Sequence, residues 1–145
     1  MERLPFVHAS GVAIKPGCVG GGLGVVAAGP IKCGDVVEKM LLCRLLESYP
    51  GHDDEHVFVW WKGKPGTGNI CWCQGSGNAV YYNTGPKTAW NTRSLKDFDN
   101  DVLALVATRD IAEGEEIIIM YSSINWRTCW DDLRAAVPPP PPPQA

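Results

Sequence analysis

Residues 114–121 read Gly-Glu-Glu-Ile-Ile-Ile-Met-Tyr, a turn followed by an apolar run that ends in a tyrosine. Glycine suits a tight turn, and three consecutive isoleucines favour a strand because β-branched side chains pack well on a pleated surface. Two further motifs precede this stretch, Gly22-Leu23-Gly24 and Tyr82-Asn83-Thr84. Each motif is common by itself, so the prediction rests on their order and spacing.

Glu115 and Glu116 stand side by side after the turn. Neighbouring residues on a strand point to opposite faces, so these two carboxylates are not expected to act as a close catalytic pair. We expect them to be turn and surface residues, or partners for a buried backbone or basic group.

Composition limits the classes of protein that the chain can represent. Its 145 residues suit one compact domain, and a chain of this size buries about 68–70% of its unfolded surface. The net charge of −3 argues against a direct nucleic-acid binder and suits a basic partner. The chain contains no run of 18 apolar residues, so the sequence predicts no membrane-spanning helix. The six cysteines follow no apolar signal segment, so we expect reduced thiols in an intracellular protein.

The pattern of apolar runs and turns predicts short strands with little helix. Residues 102–108 and 116–121 are apolar runs separated by a spacer of hairpin length. Residues 75–82 fit either a short helix or a turn. The predicted strands cover residues 23–28, 36–43, 56–61, 70–73, 102–108 and 116–121.

The glycine-rich segment 20–24 fits two familiar cofactor loops poorly. A phosphate-binding loop ends in Gly-Lys-Ser or Gly-Lys-Thr, and neither is present. A dinucleotide fingerprint needs a helix that opens at the glycines, whereas Gly29-Pro30 would break such a helix within two turns. A turn that requires positive φ angles stays open as the plain alternative.

Taken in order, the three motifs resemble the SET domain, the fold of protein lysine methyltransferases, over residues 13–127. The resemblance implies a mostly β fold with several small sheets, few short helices and a knot-like C-terminal crossing. In size and layout the chain is similar to the small viral-type SET proteins, which lack a zinc-binding segment after the domain. It therefore implies no structural zinc. The remaining segments are expected to be an N-terminal strand or lead-in over residues 1–12, a closing segment over 128–137 and a disordered polyproline tail over 138–145.

The resemblance also implies roles for particular residues and a cofactor, S-adenosylmethionine, with S-adenosylhomocysteine as product. Tyr121 matches the catalytic tyrosine of the family. Thr84 stands where histidine is usual, and residues 87–89 replace the usual Pro-Asn. The implied cofactor contacts are Gly22, Leu23, Gly24, Tyr82, Asn83 and Thr84. The implied substrate channel is formed by Phe58, Tyr81 and Trp126, with Tyr82 as a further candidate; Trp60, Trp61 and Trp72 are expected to pack in the core.

The function implied by the resemblance is methyl transfer to the side-chain amine of a protein lysine. By resemblance alone, the expected substrate is a histone tail, which implies the nucleus; any other substrate implies the cytoplasm. The alternative is a SET-like binding module, weak or inactive in catalysis, that recognises a lysine or methyl-lysine peptide through an aromatic cage. The sequence leaves open the target lysine, the number of methyl groups added and the presence of a homodimer.

Two other motifs have competing interpretations. His52-Asp53-Asp54-Glu55-His56 formally matches a zinc-protease motif, but that motif requires a helix and the residues that follow favour a strand. The six prolines of residues 138–143 favour an extended polyproline II segment. That segment is either a solvated tail or a ligand for a proline-recognition domain.

Overall fold

The structure is a computed structural model that describes residues 11–46, 48–61, 70–121 and Cys129. These residues form short β-strands and single 3₁₀ turns, and no α-helix occurs among them. The strands are β1 (Val12–Lys15), β2 (Gly24–Ala27), β3 (Val36–Arg44), β4 (Phe58–Trp61), β5 (Cys71–Gly75), β6 (Thr92–Asp97) and β7 (Val102–Ala107). The 3₁₀ turns cover Val19–Gly21, Gly51–Asp53, Ala79–Tyr81 and Lys87–Ala89. The mostly β prediction is confirmed.

The strands form two antiparallel sheets. β1 pairs with β2, and the larger sheet has the order β4-β5-β3-β7-β6. β3 is the longest strand, and it pairs with β5 on one side and with β7 on the other. A register shift between Val36 and Glu38 bends β3 where it meets β7.

Residues 116–121 do not form the second arm of a hairpin with β7, so that expectation was wrong. β7 is already paired on both sides, with β3 and β6, and it offers no free edge. The segment instead runs between β2 and the loop after the third 3₁₀ turn. The Ile117 amide donates to Val25 O at 2.8 Å, and the Ile119 amide donates to Asn83 O at 3.0 Å. This is the C-terminal crossing that the resemblance implied.

Asn91 fixes the crossing segment on its other side. Its Nδ2 donates to Glu116 O at 2.8 Å, and its Oδ1 accepts from the Ile118 amide at 2.8 Å. The Asn91 side chain is 1% exposed. A buried amide that satisfies a carbonyl and an amide of the same segment acts as a substitute for a missing strand partner.

The core lies where the crossing segment meets the two sheets. Ile117 and Val25 are fully buried there, together with Tyr82 and Leu105. The apolar run in residues 117–119 is therefore explained by burial between neighbouring segments, since a strand packed on both faces carries no alternation.

β6 was not predicted from the sequence. Its residues read TRSLKD, and all but Thr92 are exposed, so no apolar pattern marks it as a strand. It exists because its backbone pairs with β7 along its whole length, from Thr92 opposite Ala107 to Asp97 opposite Val102.

Several predictions fall on residues outside the described ranges. These are Trp126, most of the closing segment 128–137 and the polyproline tail. Within the described residues, no helix has both the length and the apolar character needed to cross a membrane.

Candidate active site

Tyr121 lies at the end of the crossing segment, partly buried. Its hydroxyl donates a hydrogen bond to the backbone carbonyl of Tyr82. Burial raises the pKa of Tyr121 to about 12, and the negative charges of Glu55 and Glu116 act in the same direction. Tyr121 is therefore a neutral phenol throughout the physiological pH range.

Tyr82 belongs to the core and to the site at the same time. Its side chain is 1% exposed, and its hydroxyl donates to Glu38 Oε1 at 2.5 Å. Burial, followed by the bond to Glu38, raises the pKa of Tyr82. The ring is thus committed to the core, and the part of Tyr82 that meets Tyr121 is its backbone carbonyl.

Glu38 is a fully buried carboxylate that holds this corner of the core together. Besides the Tyr82 hydroxyl, it accepts from the Asn78 amide at 2.9 Å and from Asn78 Nδ2 at 3.1 Å. A buried carboxylate needs several donors to replace the water that it loses. Asn78 immediately precedes the 3₁₀ turn that leads to Tyr82, so both ends of this short segment are tied to one acidic group.

Asn83 connects the glycine-rich loop, residues 18–24, with the crossing segment, residues 116–121. Its Nδ2 donates to Leu23 O at 3.0 Å and to Glu116 Oε2 at 3.0 Å. Both amide protons therefore have acceptors, and this fixes which end of the side chain is nitrogen. Within the described part of the chain, Asn83 Oδ1 has no donor, so it is presented as an acceptor.

The glycine-rich loop packs closely on Asn83 at one glycine and stays open at another. A Cβ on Gly24 would lie 2.6 Å from Cys18 Cβ and 2.8 Å from Asn83 Nδ2, whereas a Cβ on Gly22 would meet nothing within 4 Å. Leu23 is 50% exposed. Only glycine fits position 24, whereas Gly22 has open space beside its backbone within the described residues.

Thr84, at the position of the family's usual histidine, is buried and 4% exposed. A small side chain therefore fills this place in the core, directly after Asn83. The Thr84 side chain has little surface left for a ligand, so a contact through its backbone is the geometry that remains.

A cavity of about 90 Å³ adjoins Tyr121, and most of its walls are apolar. Phe58, one of the residues predicted for the channel, lines the cavity, and Trp60 forms another wall. Lys96 also lines the cavity, with its Nζ 5.7 Å from the centre of the Trp60 ring. Tyr81, the other described residue predicted for the channel, does not line this cavity and is 40% exposed.

Sequence reasoning missed the polar groups that support the site. Glu38 could have been found, because it is a lone carboxylate in an apolar run and a buried charge requires partners. Asn91 and Lys96 gave no local signal. Glu115 and Glu116 behave as expected: Glu115 pairs with Arg109 at 2.6 Å, and Glu116 binds the Val19 amide at 2.9 Å and Asn83.

The zinc-protease alternative fails on geometry. His52 lies in the 3₁₀ turn Gly51–Asp53, and its ring packs edge-on against Trp72, with 5.2 Å between the two ring centres. The two histidines of the motif therefore do not share a helix face. Across the described ranges, no group of three or more His, Cys, Asp or Glu side chains is placed to hold a metal ion.

Residues 22–122 match the family described as the SET domain, a span that runs from the glycine-rich loop to just beyond Tyr121. The chain belongs to the SET domain family. Comparison with the sequences of curated proteins gave no match.

Solved SET structures share the fold at low sequence identity. A Plasmodium falciparum protein assigned as a histone methyltransferase is 22% identical, with a TM-score of 0.55 over 77% of this chain and 92% of its own. The methyltransferase domain of human PR domain-containing protein 2 is also 22% identical, with a TM-score of 0.57 over 77% of each chain. The ATXR5 SET domain, in complex with histone H3 dimethylated on R26, is 23% identical, with a TM-score of 0.57 over 69% of this chain and 52% of its own.

Proposed function

We propose that this SET domain is a protein lysine methyltransferase that uses S-adenosylmethionine and acts on a basic protein segment such as a histone tail. The observation that carries the proposal is the meeting of three distant parts of the chain. The glycine-rich loop contacts Asn83, the crossing segment contacts Asn83, and Tyr121 contacts Tyr82 beside it. An apolar cavity opens at Tyr121.

The site suits the proposed cofactor for a reason that can be read from the residues themselves. Gly22 exposes its backbone because it has no side chain, and Asn83 presents an oriented amide oxygen beside the neighbouring Leu23 backbone. S-adenosylmethionine supplies a methyl group on a positively charged sulfur, already activated for transfer to nitrogen. We assign its binding to Gly22, Leu23, Gly24 and Asn83, with the backbones of Tyr82 and Thr84.

The protein's main chemical task is to supply a neutral amine. Free lysine has a pKa near 10.4, so only roughly one side chain in a few thousand is neutral at pH 7, a cost of about 4–5 kcal/mol. The walls formed by Phe58 and Trp60 disfavour the ammonium form because they offer it no water. Lys96 places a second cation at the same cavity, which disfavours the ammonium form further.

Tyr121 orients the incoming amine. Its phenol is neutral, with a pKa of about 12, so it does not act as a base at physiological pH. Its bond to Tyr82 O fixes the direction of the hydroxyl, and a phenol oxygen that donates its proton retains acceptor lone pairs. Alignment of reacting groups can contribute about 7–11 kcal/mol in favourable cases, and we expect most of the rate to come from this term.

The substrate assignment is supported by charge and by the structural neighbours. The chain carries a net charge of −3, which suits a basic peptide. ATXR5, a structural neighbour, has been captured with histone H3 peptides. A histone substrate places the protein in the nucleus.

The test is a methyl-transfer assay with isotopically labelled S-adenosylmethionine and mixed core histones, in which labelled positions are located by mass spectrometry. Isothermal titration with S-adenosylhomocysteine separates the proposal from a peptide-binding module. The enzyme binds this product and labels lysine, whereas a reader of methyl-lysine binds peptide alone. Absence of both binding and label would overturn the proposal.

A further inference from the structure

Glu116 is the point at which the glycine-rich loop and Asn83 are joined. Its Oε1 accepts a hydrogen bond from the Val19 amide at 2.9 Å, and its Oε2 accepts from Asn83 Nδ2 at 3.0 Å. Val19 opens the 3₁₀ turn of the loop and lies 97 positions from Glu116 in the chain. One carboxylate thus bridges two segments that the proposed function requires to act together.

The backbone of Glu116 is held by two neighbouring segments. Its backbone is bridged to Val26 in β2, and its carbonyl accepts from Asn91 Nδ2 at 2.8 Å. The loop, in contrast, has few ties of its own. Within the described residues, residues 18–23 are joined to more distant parts of the chain through Glu116, which bonds the Val19 amide and the Cys18 side chain, and through the Asn83 bond to Leu23.

Val19 and Asn83 each offer an N–H donor to a different oxygen of Glu116, and this makes the requirement for a carboxylate specific. Glutamine has the same shape but carries one acceptor atom and one NH₂ group. With glutamine at position 116, the NH₂ group must face either the Val19 amide or Asn83 Nδ2, so one donor is left opposite another. Hydrogen bonds to charged groups are also stronger than neutral ones.

We propose that Glu116 is a positioning residue that locks the glycine-rich loop onto Asn83 and fixes Asn83 with its amide oxygen toward the ligand. The proposal rests on the proposed function in that the ligand is the methyl donor. Glu116 itself acts through Val19 and Asn83 and does not need to touch the ligand.

A ligand-independent reporter is available within the loop. Burial raises the pKa of the Cys18 thiol, and the nearby Glu116 carboxylate raises it further. Removal of the Glu116 charge, or release of the loop, therefore speeds alkylation of Cys18. Cys73 is buried in β5, away from the loop, and its pKa is raised to about 12 by burial, so it reports general loosening of the fold.

The experiment compares Glu116→Gln with Glu115→Gln. Glu115 is the adjacent carboxylate, bonded to Arg109 and to the Ala112 amide outside the site, and is the matched control. Binding of S-adenosylhomocysteine is measured by calorimetry, and iodoacetamide labelling of Cys18 and Cys73 is followed by mass spectrometry. For Glu116→Gln we expect binding weaker by about 10- to 100-fold. We also expect labelling of Cys18 that is several-fold faster and labelling of Cys73 that is unchanged.

A second pair of variants tests the donor–acceptor logic directly. Asn83→Asp brings two carboxylates together, whereas the double variant Asn83→Asp with Glu116→Gln restores a donor opposite an acceptor. We expect the double variant to protect Cys18 better than Asn83→Asp alone. Strictly additive effects, or wild-type Cys18 labelling in Glu116→Gln, would overturn the role of Glu116. If the wild-type protein failed to bind the product while Cys18 labelling still changed in the Glu116 variants as expected, the proposed function would be overturned. The role of Glu116 in positioning the loop would still be supported.

Discussion

The Tyr121 hydroxyl is bonded to the backbone carbonyl of Tyr82, the residue that precedes Asn83. Tyr82 is itself anchored in the core through Glu38. The position of the phenol is therefore set by a buried acidic group through the backbone of another residue. This chain of contacts links the stability of the core to the geometry of the proposed reaction.

Replacement of Tyr121 by phenylalanine should separate binding from chemistry. The variant loses the hydroxyl and its bond to Tyr82 O but keeps the ring that lines the cavity. We expect binding of S-adenosylhomocysteine within about threefold of wild type and a fall in methyl-transfer rate of about 100-fold or more, because a misplacement of about 1 Å in an aligned site can cost about 10²-fold. Single-turnover assays and calorimetry measure the two quantities. Unchanged turnover would remove Tyr121 from the mechanism.

Gly24→Ala should damage both stability and ligand binding. The added methyl group would lie 2.6 Å from Cys18 Cβ and 2.8 Å from Asn83 Nδ2, so the loop and Asn83 must move apart. Overpacking of this kind costs about 1–3 kcal/mol, and we expect a loss of that size in the free energy of unfolding, together with at least tenfold weaker product binding.

Two other glycines provide the controls for Gly24→Ala. A Cβ at Gly22 or at Gly29 would meet nothing within 4 Å. We therefore expect the free energies of unfolding of Gly22→Ala and Gly29→Ala to lie within about 0.5 kcal/mol of the wild-type value. Gly22→Ala should still weaken binding of the product, because Gly22 belongs to the proposed cofactor site, whereas Gly29→Ala should not. Equal destabilisation by all three alanine variants would contradict the close packing at Gly24.

Glu38→Gln should destabilise the domain even though it preserves shape. The carboxylate accepts three hydrogen bonds, from Tyr82 Oη, the Asn78 amide and Asn78 Nδ2, and glutamine must turn an NH₂ group toward at least one of these donors. An unsatisfied buried donor costs about 1–3 kcal/mol, and chemical denaturation should reveal a loss in this range. Glu113 is exposed, so Glu113→Gln is the matched control. Its free energy of unfolding should lie within about 0.5 kcal/mol of the wild-type value. A neutral outcome for Glu38→Gln would show that the buried network contributes little to stability.

The sequence predicted the parts of the molecule whose signals are local. The strands around Val25 and Leu105 are apolar and bounded by turns, so pattern alone located them. The run over residues 116–121 was recognised as apolar, but its partners were not, because a strand pattern does not specify which edge it pairs with. β7 was already paired on both sides by β3 and by an exposed polar strand that has no pattern.

In the candidate site, too, the sequence predicted residues with a local signal and missed those whose role depends on distant contacts. The motifs supplied Tyr121 and Asn83, and the structure brings them to neighbouring positions. Glu38 anchors Tyr82, and Asn91 holds the crossing segment that leads to Tyr121; both roles depend on contacts that form only after folding. Phe58 lies in β4 and lines the cavity, whereas Tyr81 lies in the 3₁₀ turn Ala79–Tyr81, is 40% exposed and does not line it.

Alkaline pH should destabilise the protein through Tyr121, and the sign follows from its pKa. The pKa is about 12 in the folded state and near 10 in the unfolded chain, so above pH 10 the native state retains a proton that the unfolded state has lost. The stabilising contribution is complete below pH 10 and falls as the pH rises through 12, by about 1.4 kcal/mol per pKa unit. Denaturant titrations at pH 9 and pH 11 should show a larger loss in wild type than in Tyr121→Phe, by about 1 kcal/mol. Tyr82, whose pKa is also raised, is present in both proteins and cancels in the comparison. If the two proteins lost the same stability, the Tyr121 phenol would have to titrate as an exposed tyrosine, which is incompatible with a buried hydroxyl bonded to Tyr82.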